Sequence, residues 1–441
     1  MSINEIFKDF SSVSNADWME KIETDLKGKP LSVLTSKPEP DLEIVAYHHG
    51  DNTIDNTDKG LSRNLSKANN SWKIRQEFSN NAKILNGLNE GIDAIGLKVN
   101  SETNFDQLTK DVQFNYIASD ITFADKLTAL STKVPSESVI NYDVIGMNLA
   151  AGNWQVELDD FLAVYQKHNN NKSIWVSGSV YGSAGASTIQ ELAFAIAHMN
   201  EYIQFLKDQG CSLSEINEGL VVELSVNENY FVNIAKYRVI KDLIQLVFKG
   251  YDATYEIKSP VIYAKTSLRH LAQNDKNNNP LRETTQAMSA VIGGCDVLTI
   301  TYGQHGTPQE VERFERIAKN IQLVLKEEAY LDKVLDPSGG SYAIEAISKQ
   351  LLTKSWTLFQ EIEKNGGLIA AVRNNVVQNK IAENQKQLIA DMVDNSSTFL
   401  GVNKHPNAAE AWVNSTDCNT DQPTAFIALQ PFHLENHFPN N

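Results

Sequence analysis

The sequence predicts an α/β protein built on a (β/α)8 barrel, flanked by an N-terminal arm and a C-terminal helical segment. Apolar runs of strand length recur eight times, and the stretches between several of them carry the periodicity of amphipathic helices. Continuous apolar runs are typical of parallel strands that helices cover on both faces. Eight strand and helix alternations favour a closed barrel over an open, doubly wound sheet.

The first 71 residues predict an arm and a linker outside the barrel. Trp18, Ile22 and Leu26 follow one another at a spacing of four in an otherwise polar stretch, which indicates a short amphipathic helix. A proline-containing loop follows, and residues 50–71 hold almost no apolar side chains. We expect the apolar stripe of the arm, within residues 1 to about 45, to be covered by the outside of the barrel or by another chain.

The barrel is assigned to residues 72–345, with its core beginning near Trp72. The predicted strands are IDAIGLKV (92–99), VQFNYIAS (112–119), VINYDV (139–144), SIWVSGSV (173–180), LVVELSV (220–226), VIYAKTS (261–267), VLTITYG (297–303) and the weakest, KVLDPSGGSY (333–342). Between the strands lie helical patterns, such as the one that starts at Thr188 and ends at Gly210, a residue typical of helix C-termini.

Residues 346–441 predict a helical extension. The apolar periodicity there is that of helices, and no further strand and helix alternation follows. The segment is too short for another α/β domain of ~100 residues or more. A separate cofactor-binding domain is therefore not expected in this chain.

Composition and charge exclude several classes of partner. Asp and Glu number 55 against 39 Lys and Arg, and the net charge of −16 disfavours nucleic acid and anionic membranes. Cys211, Cys295 and Cys418 are far apart, so neither a disulfide framework nor a zinc site is indicated. The first residues lack the basic and apolar regions of a signal peptide, and no uncharged apolar run is long enough to cross a membrane. We expect a cytoplasmic protein.

From the residues alone, no catalytic or metal site emerges. Gly178, Gly182 and Gly185 lie between a strand and a helix, but their spacing fits neither a dinucleotide nor a P-loop motif, so a plain turn is favoured. His305 follows the seventh predicted strand, at the end of the barrel where such folds place their chemistry. It has no nearby nucleophile or base, and a catalytic role is not favoured.

Five ordered stretches resemble the substrate barrel of the methylmalonyl-CoA mutase family. They are WKIRQEF (72–78), similar to W-x-I-R-Q; SGSVYGSAGAS (177–187), similar to S-G-Y-H-M-Q-E-A-G-A-T; ENYFVNIAKYR (228–238); NNPLRETTQAMSAVIGG (278–294); and the stretch RIAKNIQLVLKEEAYLDKVLDPSGGSYAIE (316–345). The resemblance implies a mutase-type barrel. It also implies a role in the adenosylcobalamin-dependent, radical interconversion of (R)-methylmalonyl-CoA and succinyl-CoA.

The departures from the family pattern concern the reacting side chains. Ser179 and Val180 stand where the family has adjacent tyrosine and histidine, Lys67 stands for a second tyrosine, and Thr299 for another histidine. Valine can neither donate nor accept the proton that the family's histidine would offer to a thioester carbonyl. The cobalamin motif D-x-H-x-x-G is absent as well. We therefore expect this chain to hold no catalytic, cofactor-binding or metal-binding residues.

The leading hypothesis is a structural, non-catalytic small subunit in a heterodimer. The large mutase subunit would hold adenosylcobalamin and the active site, and this chain alone would be inactive. One alternative is the catalytic barrel of a split acyl-CoA mutase with a separate cobalamin-binding chain, which Val180 disfavours. Another is a regulatory barrel with vestigial binding of CoA esters, which bulky side chains along the barrel axis would disfavour.

Overall fold

A computed structural model describes nine parts of the chain, and every structural statement below concerns these parts. They are residues 13–48, 67–78, 90–99, 113–118, 138–168, 172–258, 260–302, 307–407 and 424–438.

The strands form one hairpin and one large sheet. In chain order they are β1 (Ser36–Glu39), β2 (Leu42–Ile44), β3 (Lys73–Phe78), β4 (Ala94–Val99), β5 (Gln113–Ala118), β6 (Val139–Asn141), β7 (Ile174–Ser177), β8 (Leu220–Val226), β9 (Val261–Thr266) and β10 (Val297–Thr299).

The α-helices surround the sheet and extend beyond it. They are α1 (Asn15–Leu26), α2 (Val144–Ala151), α3 (Leu158–Lys167), α4 (Ser179–Ser183), α5 (Thr188–Asp208), α6 (Leu213–Gly219), α7 (Tyr230–Tyr251), α8 (Asn279–Ile292), α9 (Pro308–Leu323), α10 (Tyr342–Lys364), α11 (Gly367–Arg373) and α12 (Val376–Val393).

Strands β3 to β10 form the predicted (β/α)8 barrel. All their pairings are parallel, in the order β6, β5, β4, β3, β10, β9, β8, β7. The two outermost strands of that order meet through a parallel bridge between Val139 and Lys172, where the Ile140 N–H donates to the Lys172 carbonyl at 2.8 Å. The sheet therefore closes on itself, and the carboxyl ends of all eight strands lie at one end of the barrel.

One of the eight predicted strands was wrong. Residues 333–340 form turns and bends, with positive φ angles at Asp336 and Gly340 that a strand excludes, and α10 begins at Tyr342. The eighth strand is instead β3, at the start of the barrel, where Arg75, Gln76 and Glu77 interrupt the apolar pattern. β3 has no continuous apolar run because its inward side chains, Arg75 and Glu77, are charged.

The described residues form three buried apolar clusters, and one of them, around Met392 and Phe399, joins the C-terminal helices to residues 424–438. The largest lies between the strands and the surrounding helices and includes the fully buried outer side chains of β8, such as Val222 and Leu224. The smallest lies inside the barrel and consists of Val139, Trp175, Val221, Tyr263 and Val297, each at most 2% exposed. In this inner cluster, the rings of Trp175 and Tyr263 meet edge to face with centroids 4.7 Å apart.

The arm divides into an anchored and an unanchored part. The β1–β2 hairpin packs against α10, with Leu42 fully buried, and the Gln350 side chain both accepts from the Glu43 N–H and donates to the Glu43 carbonyl. Helix α1 buries no residue, although a complete capping box at Ser14 starts it. The hairpin thus lies on the outside of the barrel, as one of the two predicted arrangements had it, whereas no residue of α1 is fully buried.

The C-terminal residues return to the barrel after the three helices α10 to α12. The backbone N–H of Phe426 donates to a carbonyl just after α2, and the N–H of Leu429 donates to a carbonyl on α2. The N–H of Phe432 donates to a carbonyl on α4. The Glu435 carboxylate then accepts from the backbone of Gln273, beyond β9. This segment, residues 424–438, therefore joins loops that follow three different barrel strands. Among the described residues, no helix combines the length and apolarity needed to cross a membrane.

Candidate functional site

Two of the residues singled out from the sequence lie at the carboxyl ends of barrel strands. Ser179 is two residues beyond the end of β7, and its hydroxyl lies 2.5 Å from Glu223 Oε1 on β8. Thr299 is the last residue of β10, and its hydroxyl accepts from Arg75 Nη1 at 2.7 Å. Val180, next to Ser179, is half-buried and packs against the main core. Serine, valine and threonine side chains do not gain or lose a proton near neutral pH. Both hydroxyls are also held in hydrogen bonds with other side chains.

A charged cluster fills the same end of the barrel. Arg75 Nη1 and Lys265 Nζ each lie 3.0 Å from one oxygen, Glu77 Oε1. Burial by itself would raise the pKa of Glu77, but Lys265 and Arg75 hold it well below its ordinary value. Burial would likewise lower the pKa of Lys265, but Glu77 and then Glu223 raise it. The three side chains are therefore all charged at neutral pH, and one carboxylate serves two cations.

Bulky side chains occupy the barrel axis below this cluster. The Arg75 guanidinium lies 5.7 Å from the centre of the Tyr263 ring, which in turn packs on Trp175. All three are among the largest fully buried side chains of the described residues. Protein atoms therefore occupy the axis at this level. Bulky side chains on the axis disfavour a channel for acyl-CoA.

Lys67, the fourth residue singled out, lies at the opposite end of the barrel. It forms an ion pair with Asp296, the residue just before β10, and donates to the Cys295 carbonyl at 3.4 Å. Asp296 Oδ2 accepts from the Ile262 N–H, near the start of β9. The structure therefore does not bring Lys67 together with Ser179, Val180 and Thr299.

Sequence reasoning missed a buried network behind the barrel wall. Asp143 Oδ1 accepts from the Tyr202 hydroxyl at 2.7 Å and lies 2.9 Å from His198 Nε2, while Oδ2 accepts from the Ser177 N–H at 2.9 Å. The Tyr181 hydroxyl lies 3.2 Å from the other ring nitrogen of His198. Burial would raise the pKa of Asp143, but His198 and the other donors lower it to about 2. One feature of the sequence could have indicated this network. His198 and Tyr202 are polar residues one turn apart on a helix, and most residues beside them are apolar.

Polar residues from the motif-like stretches also make structural contacts. Arg238, at the end of ENYFVNIAKYR, donates to both oxygens of Asp336 at 2.8 and 3.2 Å and to Glu345 at 2.8 Å. Lys236 forms a fully buried ion pair with Glu191 at 2.8 Å. These contacts fasten α7 to the loop before α10 and to α5. They give the motif residues a structural role that requires no ligand.

The glycine cluster is a turn with close packing, in line with the plain interpretation. A Cβ atom at Gly182 would lie 2.1 Å from Ser225 Oγ, and one at Gly185, where φ is +96°, would lie 2.7 Å from Gln385. Glycine is therefore required because other side chains take the space. His305 lies outside the described residues, as does Cys418. Among the described residues, no group of three or more His, Cys, Asp or Glu side chains is arranged to hold a metal ion.

Comparisons with known proteins agree on one family. The family model described as methylmalonyl-CoA mutase matches residues 152–428. The chain is 28% identical to the "methylmalonyl-CoA mutase small subunit" of Porphyromonas gingivalis, with 92% of this chain and 72% of that protein covered. A "probable methylmalonyl-CoA mutase small subunit" of Mycobacterium tuberculosis is also 28% identical, over 78% of this chain and 61% of its own length. The small subunit of Propionibacterium freudenreichii subsp. shermanii is 26% identical, over 68% and 51%. The matched region thus spans between half and three quarters of these relatives.

Proposed function

The chain belongs to the methylmalonyl-CoA mutase family, and we propose that it is a non-catalytic, structural small subunit of a cytoplasmic heterodimer. Its partner is a longer mutase subunit that holds adenosylcobalamin. The heterodimer interconverts (R)-methylmalonyl-CoA and succinyl-CoA. The names of the relatives support this pairing, since those of Porphyromonas, Mycobacterium and Propionibacterium are each called a small subunit.

The filled barrel end is the observation that carries the proposal. A mutase barrel needs room for an acyl-CoA on its axis and an acid beside the thioester carbonyl. Here Trp175, Tyr263 and Arg75 take the room, and Ser179 is turned to Glu223. A serine paired with a carboxylate cannot replace a histidine that stabilises developing charge on a carbonyl. The residues present therefore do not fit the adenosylcobalamin chemistry of the family, and the partner supplies it.

The arm supports association with another chain. On α1, Trp18 is 45% exposed and both Met19 and Ile22 are only half-buried, and on the following turn Leu31 and Val33 are exposed. Within the arm, Trp18 contacts Tyr47 at 5.4 Å between ring centroids. Apolar side chains grouped on one short segment are stabilised when a partner covers them. We place part of the interface with the large subunit on this segment.

The test compares the isolated chain with the complex. We expect the purified chain to show no turnover of methylmalonyl-CoA with added adenosylcobalamin, and the chain co-expressed with a large mutase subunit to copurify with it in an active complex. Turnover by this chain with a free cobalamin-binding domain would support a split mutase instead. Absence of a stable complex with the large subunit would contradict the proposal.

A further inference from the structure

We propose that the C-terminal end of this barrel is a carboxylate-binding site whose ligand is the protein's own Glu77 side chain. The site accepts a small carboxylate such as formate or acetate when that side chain is removed. This inference rests on the geometry of the barrel and does not depend on the partner subunit.

The cationic half of the site comes from two strands that flank β10. Arg75 on β3 and Lys265 on β9 both point at Glu77 Oε1, each from 3.0 Å. Thr299 on β10, between them, accepts from the same Arg75 nitrogen at 2.7 Å and so fixes the guanidinium. Rigid strands therefore hold the two cations toward one point, as binding sites for carboxylates require.

The burial of the cations makes an anion necessary. The Arg75 side chain is fully buried, and the Lys265 side chain is 31% exposed. A buried cation without a counter-charge is costly, because the protein replaces water poorly as a solvent for charge. Removing Glu77 leaves both cations without their shared anion and opens a space of carboxylate size next to them.

The wall of the site limits the size of the ligand. A Cβ atom on Gly96 of β4 would lie 2.6 Å from Arg75 Nη2 and 2.9 Å from Glu77 Cγ, so the backbone of β4 touches the pair. Trp175 and Tyr263 close the axis underneath. A formate or acetate ion fits in the volume that the Glu77 side chain leaves, whereas a long acyl chain does not.

Glu223 provides a matched control at the same end of the barrel. Its carboxylate is 7% exposed, also points into the barrel, and meets the neutral hydroxyl of Ser179 at 2.5 Å. Glu223 also acts on Lys265 as a more distant negative charge. Removing its carboxylate opens a comparable space but leaves Arg75 and Lys265 with Glu77, so an added anion should have a clearly smaller effect there.

The experiment measures chemical rescue of thermal stability. We expect Glu77→Ala to lower the melting temperature by on the order of 5 °C or more, from the cost of breaking a buried ion pair. Sodium formate at about 0.5 M should restore at least half of that loss beyond what equal sodium chloride does, because a ligand of the folded state stabilises it by mass action. The wild-type chain should show no difference between formate and chloride, and Glu223→Ala should show less than half the rescue of Glu77→Ala.

A second variant separates charge from volume. Glu77→Gln keeps the side-chain volume and removes the charge, so it should be destabilised and should respond weakly to formate because no space is left. If Glu77→Ala does not fold in chloride, its refolding yield in formate against chloride gives the same comparison. Equal effects of formate and chloride on Glu77→Ala, or equal rescue of Glu223→Ala, would overturn the proposal.

Discussion

Single residues in this chain show where burial and charge conflict. Glu283 on α8 is 1% exposed, and neither carboxylate oxygen has a hydrogen-bond partner among the described residues. Burial raises its pKa to about 8. The folded chain therefore holds a proton that the unfolded chain, with an ordinary glutamate pKa near 4.5, releases.

This leads to a prediction for pH dependence. The contribution of Glu283 to stability is complete below about pH 4.5 and is lost as the pH rises toward about 8. Glu283→Gln should remove that loss, so its unfolding free energy should exceed the wild-type value at about pH 9 by on the order of a few kcal/mol, and much less at about pH 5. Urea unfolding at both pH values measures the difference. Glu361→Gln, an exposed change on α10, is the control and should show no such trend.

The network around Asp143 predicts a large effect of a small change. Asp143→Asn replaces a carboxylate that receives hydrogen bonds from Tyr202, Ser177 and Gly146 and pairs with His198. One amide oxygen cannot accept all of these, and we expect a loss of roughly 3 kcal/mol in unfolding free energy. Tyr202→Phe, which removes one donor, should cost about 1 kcal/mol. Equal stability of Asp143→Asn and wild type would show that the network contributes nothing.

At the scale of elements, the strands that can be predicted from the sequence are those with apolar residues on both faces. β8 could be predicted because all seven of its residues are buried. β3 could not, since Arg75 and Glu77 face a charged interior that only forms when β9 and β10 lie alongside. The positions of Ser179 and Thr299 at strand ends followed from the resemblance of their stretches to the mutase family. Their partners Glu223 and Arg75 did not, because these contacts join residues 44 and 224 positions apart.

The division of the arm gives an element-scale prediction. Trp18→Asp and Ile22→Ser on α1 should weaken binding to the large subunit at least tenfold while changing the melting temperature of the isolated chain by no more than about 2 °C, because no residue of α1 is fully buried in its own chain. Leu42→Ala in the hairpin should instead lower that melting temperature, since Leu42 is fully buried. Binding can be measured by surface plasmon resonance, with Glu23→Ala on α1 as a control. Unchanged binding of the α1 variants would place the interface elsewhere.

At the scale of the whole molecule, the filled axis predicts the response to coenzyme A. We expect the isolated chain to give no heat of binding with coenzyme A or acetyl-CoA in isothermal titration, because Trp175 and Tyr263 occupy the axis. Val180→His should add no turnover, since one acid cannot compensate for a filled axis and, under the proposed function, the partner subunit holds the cofactor. Micromolar affinity for coenzyme A would revive the hypothesis of a regulatory, CoA-binding barrel.

The C-terminal segment has a consequence for the order in which the chain can fold. Residues 424–438 bond to the backbone around α2 and α4 and to the loop after β9, and the contact from Leu429 reaches back 280 positions to Leu149. During synthesis, all eight barrel strands leave the ribosome well before this segment does. Until then, the loops after β6, β7 and β9 lack their hydrogen bonds to residues 424–438. Contacts of such long sequence separation form late and slowly. A nascent barrel of this kind exposes its strand ends while the residues between β10 and this segment are being made, the interval in which a chaperone or an early-bound partner chain would have most effect.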